Sequence, residues 1–265
     1  MHLPARLDPA AVARTLRHVA QIGPYFALDV PAAGSVPLAH LYAPEGSPVL
    51  AAMVEDHARR LRTGEQRVAG SILFQGLAAR LWSPMIGCAG EGLLLDLDPA
   101  LVRWWRRPEG PIGLHVPDPG GWQLADPVHS ADPVHSADPA RSAELVADAV
   151  LERHLRPLVH ALRRVVRVAE GLLWGNVASA LMGAVQVSEL SGRDDAGATR
   201  ALAHALLDQP ALRGTATFGV EAEFRRTSCC LYYRVPQGAR CGDCSLRALP
   251  ARIGRQAGSW SMLHG

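Results

Sequence analysis

The sequence predicts a mainly α-helical chain with a few short strands, closed by a short cysteine-rich segment. Three observations carry this reading. Apolar residues recur at helical spacing between capping signals over most of residues 1–214. Glycine, proline and aspartate collect between residues 110 and 139, as in a linker. Four of the five cysteines fall within the 16 residues from Cys229 to Cys244.

The helices follow in order. Asp8-Pro9 supplies a cap and a first-turn proline, and Gly23 a stop; Val12, Leu16, Val19 and Ala20 form one apolar stripe between them. Ser47-Pro48 opens a second helix that runs to Thr63-Gly64. A third spans Glu65 to Leu81 and is expected to stop at Ser83-Pro84, and Asp98-Pro99 is expected to open a short fourth. Strand character shows at Gly92–Leu97 and Ile112–Val116.

The 110–139 linker holds a repeat, Asp126-Pro-Val-His-Ser-Ala followed by Asp132-Pro-Val-His-Ser-Ala. Six residues is too short a period for a solenoid unit, and the prolines bar continuous helix. The repeat reads as a duplicated surface linker, and His129 and His135 as solvated rather than metal-binding. From Asp138 helical patterning resumes, and Pro157 is expected to kink or divide it. Gly171 to Val187 is too short and mixed for a membrane span, and reads as a buried core helix. A polar turn at 191–197, carrying Asp194-Asp195, precedes a further helix from Ala198 to Asp208. Strand formers after Gly214 place a boundary near residue 215, giving segments 1–214 and 215–265.

The formal net charge is only +2, which argues against a nucleic-acid binder. All 27 basic residues are arginine. The N-terminal residues lack the apolar core of a secretory signal, so the expected location is cytoplasmic, with no transmembrane segment and with peripheral membrane contact left open. Disulfides are unexpected in that setting, and clustered cysteines point to metal binding or redox chemistry.

The cysteines read Cys229-Cys230, ten residues, Cys241, two residues, Cys244. A C-x2-C knuckle sets two sulfurs on one ion or cluster edge, and Gly242 eases the turn. Pro236 and Gly238 suit a chain reversal that brings the two pairs together. An iron–sulfur cluster, an all-cysteine zinc site and a metal-free buried set all remain open. The vicinal pair favours the larger cluster, because neighbouring side chains on an extended chain diverge. Arg225, Arg226, Arg234, Arg240 and Arg247 lie close in sequence, as suits an anionic centre. Cys88, in an apolar glycine-rich setting, reads as a buried hydrophobe.

The C-C-x10-C-x2-C ending resembles the C-terminal signature of the FhuF-like ferric-siderophore reductases. Ala79-Arg-Leu-Trp-Ser-Pro84 and Leu173-Trp-Gly-Asn-Val-Ala-Ser-Ala180 are also similar to that family, less specifically. The resemblance implies a helical reductase domain and a C-terminal [2Fe–2S]-binding segment with Cys229, Cys230, Cys241 and Cys244 as ligands. It implies one-electron reduction of a ferric siderophore, with release of Fe(II).

No nucleotide-binding glycine motif is present, so electrons must come from an external donor such as a ferredoxin or a flavin reductase. No H-E-x-x-H or G-x-S-x-G motif supports another enzyme class. Arg80, Trp82, Trp174 and Asn176 lie in the family-like segments, and packing or capping is the preferred reading for them. Trp104, Trp105 and Trp260 read as core or interface. The alternative function is non-enzymatic: a protein binding a siderophore or a partner, with the four cysteines as a zinc or cluster staple or an iron sensor.

Overall fold

The computed structural model describes residues 4–30, 32–107, 112–124, 139–192, 196–219 and 223–246. The hexapeptide repeat with His129 and His135, Asp194-Asp195, Arg247 and Trp260 lie outside these residues. Among the described residues the helices are α1 (Pro9–Val19), α2 (Ser47–Arg60), α3 (Gln66–Gly90), α4 (Pro139–Ala147), α5 (Arg156–Val165), α6 (Glu170–Leu190) and α7 (Ala196–Leu207). The strands are β1 (Val36–Pro37), β2 (Leu93–Leu95), β3 (Arg103–Trp105), β4 (Gly113–His115), β5 (Gly121–Gln123), β6 (Ala216–Phe218) and β7 (Phe224–Arg226). The fold is mainly α. None of these helices is long and apolar enough to cross a membrane.

Two long helices, α3 and α6, pack along each other at the centre. Both are apolar around most of their circumference, as buried helices are. Each Leu, Val or Ile that they remove from water contributes roughly 1.5–3 kcal/mol. Helix α2 and the α4–α5 run flank this pair, and α7 packs on α4 and α6. Small antiparallel ladders finish the body: β1–β3–β4, β2–β5 and the β6–β7 hairpin. The expected strands at 92–97 and 112–116 are β2 and β4, so part of the expected linker is folded.

Three expectations are corrected. Helix α3 does not stop at Ser83-Pro84 but runs through Pro84 to Gly90. The residues after the proline are as buried as those before it, and Ser83 Oγ donates to the Ala79 carbonyl at 2.8 Å. Packing therefore outweighs the lost backbone bond. Gly87 permits the fit, because a Cβ there would lie 2.6 Å from a Val19 methyl carbon. Residues 98–101 form a turn rather than a helix; Asp98 Oδ1 accepts from the Ala100 N–H, and β3 follows at once. Of the two outcomes expected at Pro157, kink or division, the division is the one corrected. A π-helical stretch, Asp148–Leu155, sits before it and leads directly into α5.

Arg80 on α3 is fully buried and bound at every edge. Nη1 donates to the Tyr25 carbonyl and Nη2 to that of Ala27, each at 2.6 Å; Nε donates to Ile112 at 3.1 Å, and Asp29 supplies the counter-charge at 3.0 Å. It clamps the segment after α1 to the helical core. Trp82 is likewise fully buried, and Trp174 is covered by Arg156. The packing reading holds for all three.

Candidate metal centre

The β6–β7 hairpin delivers the chain to the cysteines, with Ala216 opposite Arg226 and Phe218 opposite Phe224. Cys229 and Cys230 follow β7. Leu231 then takes a left-handed backbone (φ 70°) and turns the chain into a short 3₁₀ turn at Tyr232–Arg234. Gly238 closes the excursion: a Cβ there would collide with the Tyr232 carbonyl. The chain returns to Cys241, and the Cys244 N–H donates to the Cys241 carbonyl at 3.2 Å, forming the expected knuckle.

The two cysteine pairs do converge. The sulfurs of Cys230 and Cys241 are 3.7 Å apart. Backbone N–H groups point at two more sulfurs: Leu231 donates to Cys229 Sγ and Leu246 to Cys244 Sγ, both at 3.4 Å. Cys230 and Cys244 are buried, whereas Cys229 and Cys241 are half-buried. The contact with Cys241 pushes the Cys230 thiol down to about 6, with the Arg226 guanidinium assisting, and pushes Cys241 up. Burial pushes Cys229 up. Cys88 lies buried in α3, away from this group in the fold.

A buried polar network ties the cysteine loops to α3 and α6. Arg226, at the end of β7, is fully buried. Its Nε donates to Asp243 Oδ2 at 3.0 Å, Nη1 to Asn176 Oδ1 at 2.7 Å, and Nη2 to Ser179 Oγ. Asn176 Nδ2 donates to Ser71 Oγ at 2.9 Å, and Ser71 Oγ in turn donates to the Cys230 carbonyl at 2.7 Å. Burial pushes the Asp243 carboxyl up, but Arg226 beside it prevails and holds it below the ordinary range. The network thus runs from the main chain of one cysteine to a side chain in the loop between two others.

Sequence reasoning missed Ser71, Ser179 and Asp243 and set Asn176 aside. A signal was available: Ser71 and Gln75, with Asn176 and Ser179, are polar positions at helical spacing on two mostly apolar helices. The neighbouring arginines divide. Arg226 is the buried anchor, Arg234 pairs with Glu65 at 2.8 Å, and Arg225 and Arg240 reach the surface to differing degrees.

The donor set fits a two-iron cluster. Two thiolates bonded to one tetrahedral metal at ~2.3 Å lie ~3.8 Å apart, close to the Cys230–Cys241 separation. Thiolate donors, N–H bonds to sulfur and a buried cation are what an anionic iron–sulfur centre requires. Among the described residues, no three His, Cys, Asp or Glu side chains gather as a single metal ion would need.

Comparison with protein families decides the matter. A family described as ferric iron reductase FhuF-like transporter matches residues 71–219, and a FhuF 2Fe-2S C-terminal domain matches residues 226–246. The chain belongs to the FhuF-like ferric iron reductase family. The first match covers more than half of the 265 residues and contains α6 and all of α3 beyond its first five residues. The second spans Arg226 through the last cysteine, so the cofactor of this FhuF-like chain is a [2Fe–2S] cluster. No curated protein matches the chain significantly.

One cavity of about 300 Å³ lies beside the network, between α3, α6 and the turn after α1. Its wall is mostly apolar, formed by Ile22, Phe26, Ala79, Ala184 and Val187 among others. Gln75 lines it and donates to Ser179 Oγ at 3.1 Å, so cavity and cysteine loops share one hydrogen-bond chain.

Proposed function

We propose that Cys229, Cys230, Cys241 and Cys244 ligate the [2Fe–2S] cluster, and that the holoprotein reduces a ferric siderophore by one electron in the cytoplasm. The convergence of the cysteine pairs, with Cys230 and Cys241 sulfurs 3.7 Å apart inside the matched segment, is the observation that carries this reading. When bound, the cluster supplies a one-electron donor that cycles between two redox states.

The chain's own residues supply position and charge. Ser71, Asn176 and Arg226 hold the Cys230 segment against α3 and α6. The N–H groups of Leu231 and Leu246 stabilise anionic sulfur on Cys229 and Cys244. Cys229 and Cys241 are the less buried of the four residues, and a short path to the surface favours electron exchange with a bulky chelate. Arg234, Arg240 and the exposed Tyr233 rim that side and suit an anionic ferric chelate, through charge and ring contact.

In the balanced step, the Fe(III) chelate gains one electron and becomes the Fe(II) chelate. Oxygen chelators hold Fe(II) less firmly, so the metal departs. An external donor, such as a ferredoxin or a flavin reductase, restores the reduced protein.

An anaerobic visible spectrum with iron, sulfide and zinc assays, before and after dithionite, tests the ligand set. Two irons and two sulfides per chain, and colour that bleaches on reduction, are expected. The reduced protein should then be reoxidised by a ferric siderophore with matching Fe(II) release. One zinc without sulfide would leave a structural or binding module, and a reversible cluster inert to every ferric chelate would remove the reductase reading.

A further inference from the structure

We infer that Cys230 and Cys241 hold one iron of the cluster and Cys229 and Cys244 the other, so that the vicinal pair and the C-x2-C knuckle are each split across the two irons. This rests on the four cysteines being the ligands. A C-x2-C knuckle commonly grips a single metal ion, and this pairing departs from that habit.

The geometry is specific. Each iron of a [2Fe–2S] cluster takes two thiolates and two bridging sulfides, so the four cysteines must form two couples. Two thiolates on one tetrahedral iron are separated by the edge of that tetrahedron, ~3.8 Å for bonds of ~2.3 Å. Cys230 and Cys241 meet that distance, at 3.7 Å, across the ten-residue excursion. Once they are coupled, Cys229 and Cys244 are left for the second iron with no further choice.

Local structure agrees at both ends. Cys229 and Cys230 are adjacent, the chain passes at once into the left-handed Leu231, and neighbouring side chains on an extended chain point to opposite sides. Cys229 and Cys244 make the same local bond, each sulfur accepting the N–H two residues onward at 3.4 Å.

The split has a structural consequence. Each iron is tied to both halves of the site, so neither cysteine pair can leave alone without breaking bonds at both irons. The network from Ser71 through Arg226 to Asp243 spans the same two halves and ties them together.

Mössbauer spectra of the oxidised, iron-57-enriched holoprotein and its double serine variants read the pairing directly. In C230S/C241S one iron keeps both thiolates, so half of the absorption should retain the wild-type parameters. In C229S/C230S and in C241S/C244S both irons change, and none should retain them. Retention of half in either of these, or of none in C230S/C241S, overturns the pairing. A single serine variant with a wholly wild-type spectrum would instead remove that residue from the ligand set.

A measurement without substitutions guards against variants that assemble no cluster. Diamide treatment of the wild-type apoprotein takes two electrons and two protons from a pair of thiols and leaves a disulfide. Peptide mapping should find the Cys230–Cys241 bridge in the majority; a dominant Cys229–Cys230 or Cys241–Cys244 bridge overturns the inference.

Discussion

Arg226 on β7 meets Asp243, in the loop between Cys241 and Cys244, at 3.0 Å, with both side chains shut away from water. The pair joins the strand before the first two cysteines to the loop between the last two. The guanidinium is held on its other edges by Asn176 and Ser179 of α6. The cysteine loops, which have little apolar surface of their own, are thus fastened to the core through polar bonds.

Arg226→Met should be among the most damaging single changes at the site. It leaves Asp243 as an uncompensated buried charge, a loss of about 3–5 kcal/mol. Denaturant unfolding and iron per chain should both fall. Arg226→Met combined with Asp243→Leu should recover part of the stability, because no buried charge is then orphaned. Equal loss in the single and double variants would show that the pair's charge is not what matters.

Asn176→Ala should weaken the site more gently. It removes the bridge between Ser71 and Arg226 and leaves buried groups unsatisfied, at a cost of about 1–3 kcal/mol. The holoprotein should still assemble but lose its visible colour faster in air than wild type. An unchanged bleaching rate would show that the Cys230 main chain is held without this bridge.

The cluster-binding segment could be read from the sequence because residue type and spacing, both of which are local, mark it. The helices were legible for a similar reason: Asp8-Pro9, Ser47-Pro48 and the apolar run of α6 mark themselves. Pro84 misled because its effect is set by what surrounds α3, and that burial comes from residues far away in the chain. Ser71 and Asn176 stand 105 positions apart and acquire meaning only when α3 and α6 pack. Arg226 looked like one of five equivalent arginines; its burial, not its charge, distinguishes it.

Arg80 lies in a family-like segment, yet its bonds are all internal. Arg80→Met should lower stability by about 1–3 kcal/mol for each buried carbonyl left without its donor, at Tyr25, Ala27 and Ile112, while Asp29 keeps Arg107 and the Leu114 N–H. Well below the melting temperature, the folded fraction should show an unchanged KM for any ferric chelate that the wild type reduces. A raised KM with unchanged stability would place Arg80 at the substrate instead.

His154 should make the fold acid-sensitive in a defined window. It is fully buried in the π-helical stretch; Nδ1 accepts from the Tyr42 hydroxyl at 2.6 Å, and Nε2 faces the Leu97 carbonyl. Burial pushes its pKa down to about 4 from the ordinary 6.5. The unfolded chain therefore binds a proton that the folded chain refuses between these values. Stability from this group is complete above about pH 6.5 and is lost as the pH falls toward 4, by about 3 kcal/mol in all. Unfolding free energies measured from pH 7 to 4.5 should show this slope in wild type, over and above the carboxylate contributions. His154→Gln, which cannot titrate and can still bond Tyr42, should flatten it. An equal slope in the variant would assign the acid sensitivity to other groups.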